Sequence, residues 1–202
     1  MQAAVIVIGT IVISLSVFYL FMYLLYKVID LENATSLELD QMPVLIPVPI
    51  PTKKQKNPLQ KLLAFIFEIR QWELAECWRY QLNEQHELII PKGFRFDGAS
   101  IPRIFWAFLS PTGLLLIPGL LHDCGYKYDQ VWRINSFSCP EPFMQGAGKE
   151  TWDQLFMDVG NEVNGVWLVN LIAWLAVKTG GRSAWNKYRK IEMSGNQTLA
   201  VN

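Results

Sequence analysis

Ala3 to Tyr26 runs without a single charged residue and is filled mainly by Ile, Val, Leu, Phe and Tyr. A helix that is apolar all round suits hydrocarbon better than the edge of a folded core. The run exceeds the roughly 20 residues that cross a bilayer, and it predicts a single transmembrane helix, with residues 1–29 as an anchor. A cleavable signal peptide fits poorly, because no basic residue precedes the stretch and no small-x-small site follows it. Tyr19, Tyr23 and Tyr26 form an interfacial belt closed by Lys27. Lys27, Lys53, Lys54, Lys56 and Lys61 all follow the span, so the positive-inside rule leans towards a cytoplasmic carboxyl-terminal domain.

Beyond the anchor the pattern changes twice. Residues 30–58 read as a linker, polar and acidic at first and then Pro-rich from Pro43 to Pro51. With a proline at nearly every second position, that segment is expected to be an extended spacer outside any sheet ladder. Residues 59–190 read as the folded domain and 191–202 as a flexible tail. Alternation over Gln71 to Leu82 predicts a strand, Asn83-Glu84-Gln85 a turn, Leu88 to Ile90 a second strand and Phe94 to Phe96 a short third. The period then becomes helical over Ile101 to Leu109, Leu114 to Tyr128, Lys149 to Val163 and Val166 to Lys178, ending at Gly180-Gly181. A small β-meander followed by helices is an α+β domain. Val166 to Lys178 is too short for a membrane span and is expected to be a core or membrane-surface helix.

Eighteen basic and eighteen acidic residues leave no net charge, which removes the electrostatic case for nucleic acid as the main partner. Cys77, Cys124 and Cys139 lack the CxxC spacing of a structural zinc site. The chain has two histidines, and His122 stands beside Asp123 inside the apolar stretch that begins at Gly113. A charged pair there is costly unless it has partners or chemistry. His122 and Tyr126 share a helix face, whereas Asp123 points about 100° away. Ser100, just before Ile101-Pro102, suits an N-cap; the alternative, a nucleophile, lacks the elbow motif that such a serine needs.

Ile90-Pro91-Lys92-Gly93-Phe94-Arg95-Phe96-Asp97-Gly98-Ala99-Ser100-Ile101-Pro102-Arg103, Leu120-Leu121-His122-Asp123-Cys124-Gly125-Tyr126 and the later Asp153-Gln154-Leu155-Phe156 carry a resemblance. In that order they resemble the motifs of a bacteriophage and prophage family classed only as a domain of unknown function. The pair HDxxY and DxxF is also similar to phospholipases of the A2 type. That second resemblance implies His122 as general base, Asp153 as its orienting carboxylate and Tyr126 bonded to the same carboxylate. It also implies calcium held by Asp123 with the loop of Phe94, Phe96, Asp97 and Gly98. On this view the protein is a single-pass component of a phage virion membrane or a host bacterial inner membrane. It would hydrolyse phospholipid esters there, with the bilayer and other virion proteins as partners. The rival expectation is a non-catalytic virion or membrane structural protein whose His122, Asp123, Tyr126 and Asp153 form a buried polar network.

If residues 3–26 cross a bilayer, carbonate or high salt leaves the full-length protein in the membrane pellet and detergent releases it. Release by carbonate alone would contradict the span.

Overall fold

A computed structural model describes residues 2–28, 41–49, 56–61, 71–97 and 113–193. The chain divides into two units, Met1–Thr35 and Ser36–Asn202. The first contains helix α1, Gln2–Val28. Among the described residues no helix is long and apolar enough to cross a membrane. Side chains of α1 are described over Ile8–Leu24. Within that run the large apolar side chains are exposed, Ile13 at 65% for example.

The second unit opens with strand β1, Leu45–Val48, followed by β2 (Gln71–Leu74), β3 (Trp78–Asn83), β4 (His86–Ile90) and β5 (Arg95–Phe96). After helix α2 (Leu116–Tyr128) come β6 (Val131–Ile134) and β7 (Pro140–Phe143). Three helices close the unit: α3 (Lys149–Asn164), α4 (Trp167–Gly180) and α5 (Arg182–Met193). The strands form two antiparallel sheets, ordered β1-β2-β5 and β3-β4-β6-β7. This is an α+β architecture.

The Pro-rich spacer is corrected by β1. Leu45 pairs with Leu74 and Val48 with Gln71, so Pro47 sits inside a ladder, opposite Trp72. β1 is an edge strand, where a residue without an N–H is tolerated, and Leu45, Ile46 and Val48 keep theirs. The single strand expected over Gln71 to Leu82 is two. The chain breaks at Ala75-Glu76-Cys77, where Ala75 N–H donates to Val44 O (2.9 Å), and β3 leaves for the other sheet. The β3–β4 turn follows the predicted Asn83, whose side-chain oxygen accepts from Gln85 N–H at 3.0 Å. Two strands went unpredicted, β6 and β7, in the segment between the two motif helices. The tail is shorter than expected, because α5 follows Gly180-Gly181 directly and reaches Met193. The expected helix over Ile101 to Leu109, with Gly98 and Ser100 before it, lies outside the described residues.

Leu74, Leu88, Ile90, Phe94, Leu120, Leu121, Val131 and Trp152 are fully enclosed and pack the helices onto the strands. Each fully buried side chain of this size contributes about 1.5–3 kcal/mol. Helix α2 places Pro118 in its first turn, where the missing N–H costs nothing. It ends on Asp129 in the left-handed conformation (φ 49°). The Asp129 carboxylate then accepts from Gly148 N–H (3.0 Å) and Trp152 Nε1–H (2.8 Å), tying the end of α2 to the start of α3. At the other end Asn164 Nδ2 donates to Leu114 O (2.9 Å), so the two helices run antiparallel.

Their approach depends on Gly125. A methyl group there would stand 2.3 Å from two ring atoms of the fully buried Trp152. Gly125→Ala therefore destabilises the protein by about 1–3 kcal/mol despite alanine's better helix propensity. Urea denaturation checks this, and a stabilised variant would refute the close approach.

Candidate functional site

Helix α2 contributes His122, Asp123 and Tyr126, and α3 contributes Lys149 and Asp153. His122 and Tyr126 lie one turn apart on the α2 face that meets α3, with ring centroids 4.0 Å apart. On α3, Lys149 and Asp153 are also one turn apart. The arrangement converges on the Asp153 carboxylate. Its Oδ1 lies 3.2 Å from His122 Nε2 and accepts from Tyr126 O–H at 2.5 Å. Its Oδ2 accepts from Lys149 Nζ at 2.5 Å. Lys149 Nζ donates in addition to Lys178 O (3.2 Å) at the end of α4.

The chemistry follows from burial and charge. Asp153 is 2% exposed and Lys149 6%. Burial alone would raise the Asp153 pKa, but bonding to His122, Lys149 and Tyr126 outweighs it and holds the carboxyl below its usual range. Burial likewise pulls His122 down, yet Asp123 and Asp153 on its two nitrogen edges bring the net shift upward. Tyr126 is pushed up by burial and by its bond to Asp153, so it stays a phenol and a donor. With Nε2–H directed at Asp153, the basic edge of His122 is Nδ1, which lies 3.7 Å from Asp123 Oδ1.

Asp123 is the strained member. Burial, then the negative charge of Asp97 and a carboxyl–carboxyl hydrogen bond to it, push its pKa up to about 7. Its Oδ2 is buried and has no hydrogen-bond partner among the described residues. Such an oxygen favours a proton or a cation. Strand β5 thus delivers Asp97 to Asp123. Phe94 and Phe96 are core side chains, and the Phe94 carbonyl accepts from Leu74 N–H at 3.0 Å. Gly98 lies outside the described residues. Among the described residues no group of three or more His, Cys, Asp or Glu side chains is placed to hold a metal.

Lys149 went unnoticed in the sequence, although its spacing of four before Asp153 on one helix was the available signal. The cysteines are free, and Cys124 is buried with its thiol pushed up by burial. A cavity of about 610 Å³ lies elsewhere, lined by Trp78, Arg79, Tyr80 and Glu162 among others, and shares no residue with the His122 cluster.

A family model described as a protein of unknown function (DUF1353) matches residues 72–177. No curated protein and no solved structure matches the chain.

Asp123 has a folded pKa above its unfolded value, so the folded state holds the extra proton and stability falls as pH rises from 3.8 to about 7. His122, also raised, loses its contribution in the same direction, as pH climbs from 6.5 through its folded pKa. Asp123→Asn should flatten the slope and, with chelator present at pH 8, stabilise the fold by about 1–3 kcal/mol. Urea denaturation at pH 5 and pH 8 measures it. An unchanged slope in the variant would assign the pH dependence to other groups.

Proposed function

The chain belongs to the DUF1353 family of proteins of unknown function, and we propose that it is a membrane-anchored ester hydrolase of the phospholipase A2 kind, of phage or prophage origin. The observation that carries the reading is the shared oxygen of Asp153, which His122 Nε2 and Tyr126 O–H approach from one face of α2. The same constellation is what the resemblance to phospholipases implies. The anchored form rests on the sequence of residues 3–26, which carries no charge.

In this reading His122 Nδ1 takes a proton from water as the hydroxyl oxygen attacks the ester carbonyl carbon. Asp153 holds the imidazole with Nε2 protonated and stabilises the imidazolium that forms. The imidazolium then returns its proton to the leaving alkoxide as the carbon–oxygen bond breaks, giving a carboxylic acid and an alcohol. Lys149 keeps Asp153 ionised throughout. Asp97 and Asp123 fit a hard divalent cation such as calcium, because both supply oxygen and Asp123 Oδ2, without a partner among the described residues, gains from a positive charge. When bound, that ion supplies polarisation of the ester carbonyl.

A second reading rests on enclosure. His122 is only 5% exposed and Asp153 is fully satisfied, as in a polar network that serves the fold alone. The open side is that of Asp123, whose side chain is 23% exposed.

Hydrolysis of phospholipid vesicles by the full-length chain separates the two. His122→Ala should lower kcat at least ~100-fold, and Asp123→Asn should lose the calcium-dependent activity while its fold survives. Absence of lipid hydrolysis by the wild-type chain, with or without calcium, would leave the structural reading standing alone.

A further inference from the structure

From Val166 to Lys190 the chain contains no acidic residue and five cations: Lys178, Arg182, Lys187, Arg189 and Lys190. This is the segment of α4 and most of α5. It also carries an apolar face that is exposed among the described residues. Trp167 is 62% exposed, Leu168 53%, Ile172 51% and Leu175 47%. At about 100° per residue, Leu168, Ile172 and Leu175 fall within about 60° of one another. The opposite side of α4 is committed to the fold, where Asn170 is fully buried and bonded to Asn161 and Asn164. Single exposed apolar residues need no explanation, whereas a stripe two turns long does.

The charges decide what covers the stripe. Lys178, Arg182, Lys187 and Lys190 are exposed, while Arg189 donates to Tyr126 O and Lys127 O. A second copy would bring cations of the same sign against these. A lipid surface with anionic headgroups supplies both complements, an acyl boundary for the stripe and phosphates for the cations. Trp167 at the start of α4, and Lys178 with its ammonium 4.3 Å from the Trp174 ring centre, are side chains suited to the headgroup layer.

We propose that the α4 face of Leu168, Ile172 and Leu175, with the cations of Lys178, Arg182, Lys187 and Lys190, seats the folded unit on an anionic membrane surface. This contact is separate from α1 and holds whether or not His122 is catalytic. It makes the protein a two-point membrane binder, with a helix for attachment and a surface for orientation.

The test uses the full-length chain reconstituted in vesicles of phosphatidylcholine, with or without phosphatidylserine. A fluorophore is placed at Leu168→Cys in a background in which the exposed Cys77 and Cys139 are serine, and doxyl-labelled lipid serves as quencher. Phe137→Cys, at a residue 84% exposed in the β6–β7 connection, is the reference. Quenching at position 168 is expected to exceed that at 137 several-fold in anionic vesicles and to weaken in neutral ones. Combined Arg182→Glu, Lys187→Glu and Lys190→Glu should bring it down to the neutral level. Circular dichroism verifies the fold, and Ile172→Cys replaces Leu168→Cys if helicity is lost. Equal quenching at 168 and 137 in anionic vesicles overturns the proposal while leaving the anchor and the hydrolase readings untouched. Shielding at 168 that rises with protein concentration in the absence of lipid would assign the face to a second copy, and would overturn it too.

Discussion

An ionised carboxylate taken out of water is among the most costly things a fold can contain, and Asp153 is one. Its burial is tolerable because three donors from two helices meet it, one of them the opposite charge of Lys149. His122 and Tyr126 come from α2, and Lys149 from its own helix one turn earlier. Removal of any of them leaves a buried charge less than fully compensated, which typically costs several kcal/mol when the lost partner is the cation. The packing of α2 against α3, the tautomer of His122 and the protonation of Tyr126 all follow from this one group.

The surrounding fold is arranged to hold that meeting point. Gly125 lets the indole of Trp152 lie directly against α2, and that indole donates to Asp129, the residue that ends α2. Lys149 reaches across to Lys178 O, so the last turn of α4 is tied to the same cluster. Gly181 performs a comparable service at the α4–α5 junction, where an added methyl group would meet the Tyr126 hydroxyl at 2.5 Å. β5 brings Asp97 up to Asp123 from the other side. The outcome is an imidazole clamped on its Nε2 edge by a satisfied carboxylate and faced on its Nδ1 edge by Asp123, whose Oδ2 has no partner among the described residues. That asymmetry is the chemical content of the site. It serves a base poised beside a cation, and it equally serves a polar core.

Much of the helical half was legible because its signals are local. Turn-spaced His122 and Tyr126, the apolar period of α3 and the Gly180-Gly181 stop can all be read from a window of a few residues. The sheet half was less so. Pro47 in β1 is acceptable only because β1 is an edge, and edge position is a property of the whole sheet that no window contains. The break at Ala75-Glu76-Cys77 follows from which sheet each flanking strand joins, again a non-local matter. β7 reads Pro140-Glu141-Pro142-Phe143, a composition poor in strand formers, and it pairs because β6 presents Val131 to Ile134 as a template. Of the site, the acceptor Asp153 could be anticipated from motif spacing. The role of Lys149 could not, since an i,i+4 pair is usually a solvated surface pair and only burial makes it decisive.

Asp153 fixes His122 with its proton on Nε2 and supports its charged form. Nitrogen-15 and proton NMR of the imidazole across a pH titration measures both properties, and His86→Gln isolates the His122 signals in a chain with two histidines. The expected result is a neutral ring protonated at Nε2, with a pKa above the ordinary histidine value of 6.5. A ring protonated at Nδ1, or one that titrates below that value, would contradict it.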